Sequence, residues 1–132
     1  MKDMLGNEAK ILPGSEEEEI WVELSEIGYP RNYASSFGRI KGVRGEVLHP
    51  RQDKNGYEYC SLYTKVDGKS VRHWVKVHRI ICMAFWGMPP EDRPLTDHKD
   101  RCRINNYYKN LQWANHFENK LNSKNTKKGK NH

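Results

Sequence analysis

The apolar positions of this chain recur first at a spacing of two and then at a spacing near ~3.6, so strands are expected early and a helix later. The strand-like pieces are Ile20-Trp21-Val22-Glu23-Leu24, then residues 33–40 and then Gly45-Glu46-Val47-Leu48. Glycines and a proline separate them, as in a small antiparallel sheet. Asp53-Lys54-Asn55-Gly56 predicts a tight hairpin turn, because Asn-Gly supplies the positive backbone angles such turns need. Residues 57–63 alternate, Asp67-Gly68 predicts a second turn, and residues 71–77 alternate again. Ile80, Ile81, Ala84 and Phe85 then share one face of a helix from about Val77, which Gly87 and Pro89-Pro90 end. That helix reads most simply as core.

After the helix, Leu95-Thr96-Asp97 predicts a short strand ending at Asp97-His98, and Leu111-Gln112-Trp113-Ala114 a second strand beyond a long polar loop. Asn115 has the character of a helix N-cap, with Glu118 three residues on closing a capping box. In that helix Phe117 and Leu121 lie four apart and are expected to pack inward, while His116 and Asn119 face Asp97-His98. The fold class is therefore α+β: a small antiparallel sheet region followed by a strand-loop-strand-helix unit. Residues 1–15 show no periodicity and end in Pro13-Gly14-Ser15, so 1–17 is expected to be a flexible acidic leader, with Glu16–Glu19 a solvated turn or tether.

Charge changes the picture more than composition does. The formal net charge of +6 is unevenly spread: residues 1–26 hold eight acidic and two basic side chains, and the other 106 hold nine acidic and 21 basic, a net +12. A body this basic suits a polyanion, since each phosphate neutralised by Lys or Arg releases a condensed counterion; a merely soluble basic domain is the plainer reading. A mean hydropathy of -0.99 is low, but four tryptophans supply material for a small core. The longest apolar run, Ile80 to Trp86, is far short of the ~20 residues that cross a bilayer, so no membrane role is expected. No secretory signal pattern opens the chain, which predicts a cytoplasmic protein. Cys60, Cys82 and Cys102 are odd in number and widely spaced, supporting neither a disulfide framework nor a Cys-rich zinc site.

Residues 94–123 are too polar for a core and too organised for a linker, and they bring an aspartate, a histidine and an asparagine together. Carboxylate and amide oxygens are hard ligands suited to Mg2+ or Mn2+, and a neutral imidazole titrating near ~6.5 is a competent base at neutral pH. Base, metal and basic surroundings fit phosphodiester hydrolysis.

Asp97-His98, then Asn110 in Lys109-Asn110-Leu111-Gln112-Trp113, then Asn119, resembles the HNH motif of ββα-metal endonucleases. With Val77-His78-Arg79-Ile80-Ile81-Cys82-Met83-Ala84-Phe85 leading into it, the stretch is similar to phage and intron-encoded HNH homing endonucleases. Residues 19–42, with Trp21, Tyr33, Ser36, Phe37-Gly38-Arg39-Ile40 and Lys41, resemble the DNA-binding motif that often precedes their nuclease core. The resemblance implies His98 as the general base, Asp97 as a metal ligand, and Asn110 as the residue that pins the loop between the two strands. It implies Asn119 as a second metal ligand where many members have histidine, so Mg2+ or Mn2+ is expected over tightly held zinc. His116 is the alternative metal position. The resemblance further implies double-stranded DNA as partner, products with 5'-phosphate and 3'-hydroxyl ends, and a phage protein acting in a bacterial host.

The corresponding organisation is a leader over 1–17, a DNA-binding-like β-rich segment over 18–76, a nuclease core with its preceding helix over 77–123, and a basic disordered tail over 124–132. Candidate DNA contacts are Arg39, Lys41 and Arg44, then His78 and Arg79 at the helix start, then Lys99, Arg101 and Arg103 in the loop, and Lys120 and Lys124 near the end. No feature calls for a protein partner. Two other readings are a catalytically inactive DNA-binding protein of the same fold and a packaging accessory whose basic surface merely docks DNA.

Overall fold

The computed structural model describes residues 18–118. Two three-stranded antiparallel sheets come first: β1 (Trp21–Leu24), β2 (Tyr29–Ser35) and β3 (Ile40–Lys41), then β4 (Arg51–Gln52), β5 (Glu58–Val66) and β6 (Lys69–Lys76). Helix α1 (Val77–Trp86) follows directly, and β7 (Leu95–His98) pairs antiparallel with β8 (Leu111–Ala114). These small sheets meet the α+β expectation. No helix among the described residues is long and apolar enough to cross a membrane.

The turns form for the expected local reasons. Asp67 and Gly68 both have positive φ, at 51° and 78°, and join Val66 to Lys69 in a two-residue hairpin whose twist matches its strands. At the other hairpin the Asp53 carboxylate accepts from the backbone N–H of Asn55 at 2.8 Å and of Tyr57 at 3.1 Å, while Gly56 supplies a φ of 90°. The Lys76 ammonium donates to the same carboxylate.

One core joins these pieces. Leu24, Ala34 and Ile40 of the first sheet, Cys60 and Leu62 of β5, Val77, Ile80, Ile81 and Cys82 of α1 and Leu111 of β8 form a single buried cluster. On β5 the buried positions alternate with the more exposed Ser61 and Tyr63, as a half-covered sheet requires. A fully buried Leu or Ile adds about 1.5–3 kcal/mol over an exposed one, so the α1 stripe is the main apolar link between the sheets and the β7–β8 pair.

Three expectations are corrected. The strand expected over 33–40 breaks after Ser35, because the Ser35 hydroxyl accepts from the N–H of Phe37 at 3.2 Å and of Arg39 at 2.9 Å and so holds a turn. The strand expected at 45–48 is reduced to one bridge between Lys41 and Val47, because Gly45, at a φ of 83°, turns the chain there. Glu19 is not solvated: it is 2% exposed and receives both the Nε and a terminal nitrogen of Arg39.

The Ser36–Gly38 turn ties the first sheet to the polar loop of the β7–β8 unit. The Tyr108 N–H donates to the Ser36 carbonyl at 3.0 Å, and Gly38, at a φ of 90°, lies so close to Asn106 that an added Cβ would sit 2.7 Å from its carbonyl carbon. Gly38→Ala combines left-handed strain with a backbone collision, so it is expected to cost about 1–3 kcal/mol and to lower Tm measurably in a calorimetric comparison.

Candidate active site

Asp97 and His98 end β7, opposite Gln112 and Leu111. Both are buried, at 6% and 4% exposure, and polar groups buried this deeply need hydrogen-bond partners. Asp97 Oδ2 accepts from the Gln112 amide nitrogen at 3.1 Å. His98 Nε2 lies 2.9 Å from Asn106 Oδ1, and the Asn106 amide nitrogen donates to Glu58 Oε1 at 2.9 Å.

The loop over residues 99–107 is held by amides rather than by apolar burial. The Asn110 side-chain oxygen accepts from the Asp100 N–H at 3.0 Å, and its nitrogen donates to Asp100 Oδ1 at 2.9 Å and to the Asn105 carbonyl at 2.8 Å. The Asn110 carbonyl accepts from Lys99 N–H at 2.7 Å, closing the loop base. Burial alone would raise the Asp100 carboxyl, but donation from Asn105, the Cys102 N–H and Asn110 brings it below the usual carboxylate value.

His98 also packs against aromatic rings. Its imidazole lies 4.9 Å from that of His78 at an interplanar angle of 26°, and Tyr57 lies 4.9 Å from His78 and 6.0 Å from His98. Burial pushes His98 below the ordinary histidine value, while the Asn106 hydrogen bond and the charges of Asp100 and Asp97 pull it back up. Burial, then the neighbouring His98, Lys76 and Arg79, take His78 down to about 3. Burial moves Glu58 the other way, above the usual carboxylate value, with the Asn106 hydrogen bond opposing.

The candidate DNA contacts divide sharply. Arg44 and Lys99 are exposed. Lys41 is 3% exposed, with its ammonium 4.2 Å from the centre of the Trp21 ring, and Arg39 is committed to Glu19 and to the same ring at 5.3 Å. The Lys41 charge is turned inward onto the indole face, and that of Arg39 is largely engaged by Glu19. His78 is turned into the ring cluster rather than toward solvent, and Arg79 donates to the Pro94 carbonyl at 2.8 Å and lies over Trp113. Arg103 lies 4.8 Å over Tyr57 and donates to the Asn55 carbonyl at 2.6 Å, linking the loop to the β4–β5 hairpin. Arg101 is half-buried at a φ of 63°.

The capping box forms as expected, with Asn115 N–H donating to Glu118 at 3.0 Å and Glu118 N–H to Asn115 Oδ1 at 2.8 Å. Residues 116–118 are helical, and His116 is exposed. Phe117, expected to pack inward, is 69% exposed; the described part of this turn is held by its cap and by Arg93, which donates to both Glu118 oxygens at 3.2 and 3.1 Å. Asn119, Lys120, Leu121 and Lys124 lie outside the described residues, as do the leader and the tail. Among the described residues no three His, Cys, Asp or Glu side chains converge as a metal cluster. The donor chemistry still suits a hard cation: Asp97 offers an anionic oxygen fixed by an amide, and hydrated Mg2+ or Mn2+ needs only one or two such groups.

Glu58 is a site residue that sequence reasoning left out, and Asn106 one whose partner, within the loop or on DNA, it left open. Glu58 carried a signal, because its parity with Cys60 and Leu62 places a carboxylate on the inward face of β5. Asn106, in a run of polar loop residues, carried none.

A comparison with protein-family models finds no match. The chain is similar to a protein described as an uncharacterised HNH endonuclease of Acanthamoeba polyphaga mimivirus, 26% identical over 106 residues, which are 80% of this chain and 26% of that protein. It is also similar to the HNH homing endonuclease I-HmuI, in a structure of DNA binding and cleavage, with a TM-score of 0.62 and 27% identity over 79% of this chain and 57% of that one. The chain thus spans about a quarter of the mimivirus protein and little more than half of I-HmuI.

Two stability predictions follow from the site's polar burial. Asn110→Ala leaves the Asp100 N–H and the Asn105 carbonyl without their partner and is expected to cost about 2–4 kcal/mol in urea unfolding. For His78, the unfolded ring titrates near ~6.5 and the folded ring near about 3, so between these values the unfolded chain binds a proton the native state refuses. Its stabilising effect is complete above about 6.5 and falls with pH, at a limiting slope of about 1.4 kcal/mol per unit. Urea midpoints from pH 7.5 to 4.5 should fall, and His78→Phe, which keeps an aromatic ring in the cluster, should flatten that fall.

Proposed function

We propose that the chain, which is similar to HNH endonucleases, is a metal-dependent endonuclease that hydrolyses phosphodiester bonds of double-stranded DNA, with His98 as general base. The observation that carries the reading is the pairing of a buried imidazole with a buried carboxylate at the end of β7, on a loop that Asn110 closes. A base of this kind must be neutral before it can act, and burial favours the neutral ring.

The roles follow from the chemistry of each group. His98 takes the proton from the attacking water, Asp97 and Asn119 would hold the divalent cation, with His116 as the alternative to Asn119, and Asn110 keeps the loop in register. Mg2+ or Mn2+ bound there would stabilise charge on a non-bridging phosphate oxygen and on the leaving 3'-oxygen. Lys99 and Arg44 offer exposed charge to DNA, and Lys120 and Lys124, outside the described residues, remain candidate contacts; Arg39 and Lys41 act through Trp21 and Glu19 as structural cations instead. One such site cuts one strand per event, so a monomer nicks.

Supercoiled plasmid incubated with Mg2+, Mn2+ or EDTA tests this directly. Open-circular DNA should accumulate before linear DNA with either metal and not with EDTA. His98→Ala and Asp97→Ala should each reduce the rate by about 10²–10⁴-fold while retaining a gel shift. Cutting in EDTA, or cutting undiminished by His98→Ala, overturns the mechanism. A gel shift by the parent chain with no cutting under any metal overturns the activity itself.

A further inference from the structure

We propose that Glu58 and Asn106 are positioning residues which select the basic nitrogen of His98, so that Nε2 carries the hydrogen and Nδ1 the lone pair. The inference rests on the reading of His98 as the base, but its geometry stands apart from any activity.

The chain of reasoning starts at Glu58. A carboxylate only accepts hydrogen bonds, so the group of Asn106 that faces Glu58 Oε1 at 2.9 Å must be its NH2. That orientation turns the amide oxygen toward His98 Nε2, also at 2.9 Å. An amide oxygen only accepts as well, so Nε2 must donate, and a neutral imidazole with hydrogen on Nε2 has its lone pair on Nδ1. Each member thus dictates the proton placement of the next.

Burial makes the selection effective. Asn106 is 3% exposed and His98 4%, which leaves little room for water to satisfy a reversed amide. Reversal would set the amide oxygen against the Glu58 carboxylate, a repulsive contact in a low-dielectric setting whichever tautomer the ring adopts. The Asn106 backbone is itself wedged against Gly38, where an added Cβ would lie 2.7 Å from its carbonyl oxygen. Glu58 comes from β5 of the second sheet and Asn106 from the β7–β8 loop, so the relay exists only when sheet and loop are docked.

Glu58→Gln separates this role from simple bracing. A glutamine can accept from the Asn106 NH2 or donate to its oxygen, so the hydrogen bond and the fold survive while the amide becomes free to reverse. Long-range 15N–1H correlation spectra of 15N-histidine-labelled full-length chain, at a pH where the ring is neutral, read the tautomer directly. In the parent chain His98 should show a pyrrole-type Nε2 and a pyridine-type Nδ1. In Glu58→Gln it should shift toward a mixture at nearly unchanged Tm, and kcat should fall by about two- to tenfold, following the fraction of the wrong tautomer, with KM for DNA unchanged. Asn106→Ala should remove the preference altogether if it folds. An Nδ1–H tautomer in the parent chain, or a Glu58→Gln spectrum identical to the parent's, overturns the proposal. A parent chain that holds the expected tautomer yet cuts no DNA overturns the function and leaves the relay intact.

Discussion

Asn110 holds the loop between β7 and β8, a segment with few apolar side chains to bury. A loop rich in Asp, Arg, Asn and Lys can be ordered only if its polar groups find partners inside the fold. One carboxamide serves Asp100 twice and Asn105 once, and Asp100 in turn receives Cys102 and Asn105. That network sets the separation of β7 and β8 and fixes where His98 stands relative to Asn106. Because each partner would be stranded by the loss of another, the loop is expected to behave as one cooperative unit.

The first two sheets are also the wall on which this loop is built. Gly38 presses on Asn106, Ser36 accepts from Tyr108, Arg103 reaches the carbonyl of Asn55, and Glu58 ends the hydrogen-bond chain that starts at His98. Arg39 and Lys41 are part of the same construction: Arg39 pairs with the buried carboxylate of Glu19, and both cations lie over the Trp21 ring. The body's surplus of positive charge is therefore not all displayed. Some of it is spent holding the first sheet together, and formal charge overstates what a phosphate backbone would meet.

What was legible in the sequence was what is decided locally. The two hairpins, α1 with its Gly87 stop, the β7 and β8 strands and the Asn115–Glu118 cap depend on a few adjacent residues, and their chemistry is visible in the letters. The break after Ser35 was not visible, since a serine hydroxyl taking two backbone N–H groups competes with the ladder only once the turn exists. Long-range partners were hidden for the same reason. His78 reads as a polar helix start open to phosphate, and only the arrival of β7 and the β4–β5 hairpin makes it a ring packed between Tyr57 and His98. Glu58 lies between these cases, because its parity with Cys60 and Leu62 marked it as inward while its partner stood 48 residues away.

The setting of His98 is a compromise between two demands on a base. Burial keeps the ring neutral and able to accept a proton, but taken alone it would also make that proton hard to hold. Asp97 and Asp100 offset this through their charge, and Asn106 through a hydrogen bond that an imidazolium can keep. The Arg103 charge works against them, lowering the affinity of the ring for a proton. The two carboxylates and the amide are therefore what allow a deeply buried histidine to remain a useful base. Removing burial to strengthen it would admit water to the Glu58–Asn106 contact, whose direction depends on water being kept out.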